Sequence, residues 1–130
     1  MADDFGDSPS DQSIGNLSTA PIGGGISTSG HIDLKGGLPD FDFFKVQLTA
    51  GVTYRITMDG AASGFTLGDP FLSLQTAGQH ITSDNDSGIG NNSYILFMPA
   101  TTGTYYVDAH SAVAFATGTY QLSIFSLNPF

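Results

Sequence analysis

The chain contains no cysteine and no glutamate, and only three basic residues stand against twelve acidic ones. Without cysteine it can form neither a disulfide framework nor a thiolate zinc or redox site, which suits a bacterial exported protein at least as well as a cytosolic one. The lack of glutamate removes the usual general base of zinc hydrolases, and His31, His80 and His110, the only imidazoles, do not fall in a close zinc-binding spacing. No Gly-x-Ser-x-Gly elbow is present either, so a noncatalytic protein is expected. The formal net charge of -9 opposes phosphate backbones and anionic lipid, so neither nucleic acid nor a membrane is an expected partner. No apolar run approaches the length of a membrane span. The start, Met1-Ala2-Asp3-Asp4, lacks the basic and apolar regions of a secretory signal; an exported protein would carry its signal elsewhere, and Met1 reads as an addition to an excised domain.

What is present fits one β domain. The 130 residues are enough for a single core, and 40% hydrophobic content with ten Phe and five Tyr can fill it. Only 12% of residues are charged, so the surface must be built from Ser, Thr, Asn, Gln and Gly. Residues 1–30 read as an extended arm carrying one short strand. Period-two alternation then places Phe44, Val46 and Leu48 on one face, and after Thr49-Ala50-Gly51 the set Tyr54, Ile56 and Met58 repeats it, a hairpin signal. Leu72 and Leu74 lead through Thr76-Ala77-Gly78-Gln79 into Ile81 as a second hairpin. Tyr94 to Met98 is apolar on both faces, as in a strand covered on both sides. Alternating strands also run over Thr104 to Ala109 and, opened by Gly118, over Thr119 to Phe125. The nearest thing to a helix, Ala112 to Ala116, is too short to stand alone. Seven to nine strands separated by turns imply an all-β, antiparallel β-sandwich of jelly-roll type.

The aspartates gather where no regular element can run. One cluster is Asp3-Asp4-Phe5-Gly6-Asp7-Ser8, joined by Asp40-Phe41-Asp42; the other is Asp84-Asn85-Asp86-Ser87-Gly88 through Ser93. Short carboxylates on Gly-rich turns bring hard oxygens together with few rotors to freeze, which suits calcium. The second cluster is not an EF-hand, since Gly88, Ile89 and Ile95 occupy loop positions that need an oxygen ligand, a glycine and an acid. Each cluster keeps two readings. Asp3, Asp4 and Asp7 are calcium ligands or a solvated acidic tail. Asp84 and Asp86, with Asn92 and Asp69, converge on an ion, or Asp84, Asn85 and Asp86 form Asx-turns with Gly88 and Gly90 at positive φ.

Asp40-Phe41-Asp42-Phe43-Phe44-Lys45-Val46-Gln47-Leu48-Thr49-Ala50-Gly51-Val52-Thr53-Tyr54 is followed in order by Asp69-Pro70-Phe71-Leu72-Ser73-Leu74 and Ser83-Asp84-Asn85-Asp86-Ser87-Gly88. Asn92-Ser93-Tyr94-Ile95, Thr102-Gly103-Thr104-Tyr105-Tyr106-Val107 and Gly118-Thr119-Tyr120-Gln121-Leu122 complete the series. Together with the acidic lead-in Asp3-Asp4-Phe5-Gly6-Asp7-Ser8, these motifs resemble the bacterial pre-peptidase C-terminal domain family over about Asp3 to Ile124, a family related to the collagen-binding domains of clostridial collagenases. The resemblance implies a calcium-binding β-sandwich attached to a secreted peptidase or other exoprotein, with no catalytic residues of its own. It also points to Asp4, Asp7, Asp40 and Asp42 as calcium ligands. Pro39 stands where the relatives have an aspartate, with Asp40 as its substitute, and His110 and Ala112 stand where the collagen binders have two tyrosines, which argues against collagen.

The expectation is therefore a secreted, extracellular bacterial accessory domain that binds Ca2+, through Asp84 and Asp86 as well as the first set. It would act as a monomer on a neighbouring domain of its parent exoprotein. The rival is an autonomous binder of a polymer, polysaccharide or protein fibre, using an aromatic strip drawn from Phe71, Tyr94, Phe97, Tyr105, Tyr106 and Phe115, rings that otherwise fill the core. A third reading is a structural spacer with no ion.

Overall fold

A computed structural model describes residues 13–16, 25–32, 34–35, 38–39, 42–76, 79–85, 90–113 and 116–127. Its strands are β1 (Ser13–Asn16), β2 (Gly25–Ile32), β3 (Leu34–Lys35), β4 (Leu38–Pro39), β5 (Asp42–Leu48), β6 (Tyr54–Asp59), β7 (Pro70–Thr76), β8 (Gln79–Asp84), β9 (Ser93–Phe97), β10 (Gly103–Ser111) and β11 (Gly118–Ser126). Among the described residues there is no α-helix, only a 3-10 turn at Ala61–Ser63. One sheet has the order β1-β5-β10-β7-β8 and the other β2-β11-β6-β9, while β3 and β4 form a small ribbon. All pairings are antiparallel except that of β1 with β5. From β2 onward, successive long strands change sheet at every step except the β7–β8 hairpin, and this alternation makes the sandwich a jelly roll.

Period-two patterning explains the core. Phe44, Val46 and Leu48 of β5, Leu72 and Leu74 of β7 and Val107 and Ala109 of β10 face inward from the five-stranded sheet. Tyr54, Ile56 and Met58 of β6 and Tyr120, Leu122 and Ile124 of β11 meet them from the other. Each of these side chains is at most 1% exposed. Truncating one, such as Leu122→Ala, costs about 2–5 kcal/mol in such settings.

The structure corrects three sequence expectations. Phe44–Leu48 and Tyr54–Met58 do not form a hairpin, because β5 and β6 lie in different sheets. Two strands facing one core from opposite sides carry the same alternation as a paired hairpin. The connection is an arch, held by Gly51 N–H donating to Pro99 O at 3.0 Å and Thr49 N–H to the Tyr54 hydroxyl at 2.9 Å, with Gly51 at φ 81°. The strand through Tyr94 is not covered on both sides; β9 is an edge strand, with Leu96 53% and the following Met98 60% exposed. The stretch read as an arm with one short strand contributes two, β1 and β2, and β2 pairs with β11 along its whole length.

The loop at residues 60–69 is fastened to the start of β11. Leu67 is fully buried, its N–H donates to Thr119 O at 2.9 Å, and Thr66 and Thr119 exchange backbone-to-hydroxyl bonds at 3.0 and 2.8 Å. Gly118, at φ 151°, has to be glycine here: a Cβ would lie 2.5 Å from Leu67 N.

Candidate functional site

Of the residues expected to hold calcium, Asp42 and Asp84 are among the described residues, while Asp4, Asp7, Asp40 and Asp86 lie outside them. Asp42 opens β5 and points inward, fully buried. Its Oδ2 accepts a hydrogen bond from the Tyr120 hydroxyl at 2.6 Å, and because β5 and β11 belong to different sheets this contact joins the two layers. Asp84 ends β8, half-buried, and its Oδ2 accepts from Tyr94 N–H at 2.8 Å. It therefore closes the loop to the start of β9. Ser93, whose hydroxyl lies 2.8 Å from both Pro70 O and Asn85 O, packs the same rim. Asn92 is buried and committed to structure, with Oδ1 accepting from Gly60 N–H at 2.8 Å and Nδ2 donating to Ser63 Oγ at 2.9 Å. Gly90 has the expected positive φ, 60°. Among the described residues no three His or Asp side chains gather into a metal-holding group. The donor chemistry still suits calcium, since Asp42 offers a hard oxygen donor two positions after Asp40.

The aromatic residues do not make one strip. Tyr105 is buried, with its hydroxyl donating to Thr101 O at 2.6 Å, and Phe97 packs edge-on against it at 5.4 Å between ring centres. Tyr106 and Phe71 face outward from the five-stranded sheet, whereas Tyr94 faces outward from the other; Phe115 lies outside the described residues. On the outer face of the five-stranded sheet the Phe71 ring stacks on His110, 4.6 Å between centres. His110 Nδ1 lies 3.1 Å from Oδ2 of Asp108, a buried residue whose side chain is 9% exposed.

The outer face of the four-stranded sheet carries a feature the sequence reading missed. A trough of about 700 Å³ crosses its strands. The register explains it: Ser27, Ser123, Thr57 and Tyr94 stand side by side across β2, β11, β6 and β9. Phe125 pairs with Arg55 on one flank, and Gln121 pairs with Asp59 on the other. Small hydroxyl residues in the middle row between long side chains leave a furrow, with Ser27 Oγ 3.0 Å from Ser123 Oγ along its floor. The Arg55 guanidinium sits 5.5 Å from the centre of the Phe125 ring, and burial in the trough raises the Asp59 carboxyl above the usual aspartate range.

These features define a class: a two-sheet jelly-roll domain whose polar side chains collect on the sheet faces and the rim. The sequence profile of the bacterial pre-peptidase C-terminal domain matches residues 40–111, more than half of the chain, and the chain belongs to that family of noncatalytic peptidase accessory domains. None of the curated proteins matches it in sequence. Among solved structures it is similar to the pre-peptidase C-terminal domain of Bacillus anthracis collagenase, with a TM-score of 0.56 and 19% identity over 87% of this chain and 92% of that one. It is also similar in fold to the periplasmic g-type lysozyme inhibitor PliG. The Aeromonas hydrophila protein gives a TM-score of 0.59 at 12% identity, covering 88% of this chain and 97% of that one. The Salmonella Typhimurium protein gives 0.54 at 14%, with the same coverage. At these identities the likeness concerns the fold.

Proposed function

We propose that this domain is a noncatalytic, calcium-binding accessory module of an exported bacterial peptidase or other exoprotein, acting as a monomer to stabilise or position the neighbouring domain. The observation that carries the reading is the family match, which begins at residue 40, in the acidic stretch that leads into β5. The burial of Asp42 at that point adds support, because a carboxylate withdrawn from water needs strong compensation. Asp4, Asp7, Asp40 and Asp42 would hold the ion, with Asp84 and Asp86 as a second set. Bound calcium supplies a divalent charge shared by carboxylates distant in sequence, and so fastens the leading segment to β5. An extracellular or periplasmic setting accords with the collagenase and PliG relatives, and millimolar external calcium suits sites with dissociation constants on the order of 0.1–1 mM. The charge of -9 makes nucleic acid and anionic membranes poor partners.

Melting curves in calcium and in chelator test this. At a hundred times the dissociation constant, calcium is expected to add about 2.7 kcal/mol, a rise on the order of 10 °C. Asp42→Asn preserves an acceptor for Tyr120 and should fold in chelator yet lose most of the calcium response, which Asp84→Asn should keep in larger part. An unchanged melting temperature for the wild type across that titration overturns the calcium reading.

A further inference from the structure

We infer that the trough across the four-stranded sheet is a binding site for a neutral oligosaccharide, laid across the strands from Ser27 to Tyr94. Its volume, about 700 Å³, lies within the usual range for small-molecule sites, and four strands at about 4.8 Å spacing give it a length of roughly 14 Å. The chemistry of the lining selects the ligand. The floor is a row of hydroxyls, Ser27, Ser123 and Thr57, able to donate and accept in turn, as a polyhydroxylated ligand requires. Tyr94 at one end offers an apolar ring face against which the C–H face of a pyranose can pack, while Phe125 on the flank carries the Arg55 guanidinium. Asp59 and Gln121 on one side and Arg55 on the other supply directional partners for hydroxyl pairs.

Charge and backbone narrow the choice. The lining carries one cation and one acid, Arg55 and Asp59, about 13 Å apart by strand rise, so it has no net charge to offer an ionic ligand. The molecule's charge of -9 disfavours polyanions such as sulfated glycans. A peptide binds to a sheet chiefly through a free edge, but the trough crosses the face, and its central strands β11 and β6 are flanked by partners on both sides. The site lies on the sheet opposite Phe71, Tyr106 and His110, so it is separate from that face.

The test is titration calorimetry with β-1,4-linked hexamers of glucose, xylose and N-acetylglucosamine, run in calcium-containing buffer so that the outcome does not depend on ion occupancy. Thr57→Trp, which fills the furrow, is expected to abolish binding, and Tyr94→Ala to weaken it at least tenfold. Phe71→Ala on the other sheet should bind as the wild type does. Melting curves and amide spectra show that each variant folds; should Thr57→Trp fail to do so, Gln121→Ala replaces it, with an expected loss of at least fivefold. Binding to none of the three hexamers overturns the assignment, as does binding that the trough variants leave unchanged. A triple-helical collagen-type peptide that binds in the trough when the glycans do not would overturn it equally.

Discussion

Asp42 and Asp84 come from two acidic strings that look alike in sequence, yet one lies inside the sandwich and the other at its rim. Asp42 is sealed from solvent and bound to Tyr120, 78 residues further along and in the opposite sheet. Asp84 is half-buried and holds the amide of Tyr94 across its own loop. What separates them is the surroundings. A carboxylate removed from water depends wholly on the donors the protein supplies, whereas one at the rim can still use water. Both ties run from one sheet to the other, the first through the interior and the second at the rim, where the chain crosses from β8 to β9.

The largest expected effect comes from Tyr120→Phe, which keeps the ring in the core and removes the hydroxyl from a buried carboxylate. Stability measured in calcium-free urea should fall by about 3 kcal/mol, seen as a lower midpoint at unchanged slope. A loss below about 1 kcal/mol would place Asp42 in the same category as the rim aspartate. Asp84→Ala should cost about 1 kcal/mol by the same measurement, since the freed Tyr94 amide lies where water can reach it.

Asp59 sharpens the comparison from a third position, an aspartate partly desolvated on a sheet face. Its folded-state pKa is raised by burial, so over the interval from the ordinary aspartate value up to that raised value the folded state holds more protons than the unfolded one. Its contribution to stability is therefore fully present below that interval and is lost as pH rises through it. Asp59→Asn removes this dependence. The variant should melt slightly above the wild type at neutral pH and no higher at pH 3, and a difference independent of pH would show that the carboxyl is not desolvated in the folded protein.

The sequence carried the strands better than their neighbours. Alternation located β5, β6, β10 and β11 because it records which side chains face the core. It does not record which sheet a strand joins, and so Phe44–Leu48 and Tyr54–Met58 read as a hairpin when they oppose each other across the interior. The apolar residues of β9 read as doubly covered, although Leu96 faces solvent on an edge strand. The family's motifs pointed to the acidic residues, but motif order does not reveal that Asp42 is buried against Tyr120. The trough was invisible for a related reason: Ser27, Thr57, Tyr94 and Ser123 are scattered along the chain, and only the register of three strand pairs sets them in a row. A helpful sign was available in the outward Ser and Thr of β6 and β11, positions where a simple solvent face would more often carry charge.

The place of β11 has a consequence for how the polypeptide acquires its shape. It is the latest of the described strands and lies between β2 and β6, and among the described residues of that sheet β2 pairs with β11 alone. A nascent chain elongated only to Ala116 lacks Tyr120, Leu122 and Ile124, and leaves two strands with open hydrogen-bonding edges. Because the pairing of β2 with β11, from Ile32 with Gly118 to Gly25 with Phe125, closes a loop of at least about two-thirds of the sequence, it comes with an entropic cost and a slow, late step. Structure formation is thus deferred until synthesis has passed the last strand, and a truncation before residue 118 should yield a species prone to aggregation instead of a smaller stable domain.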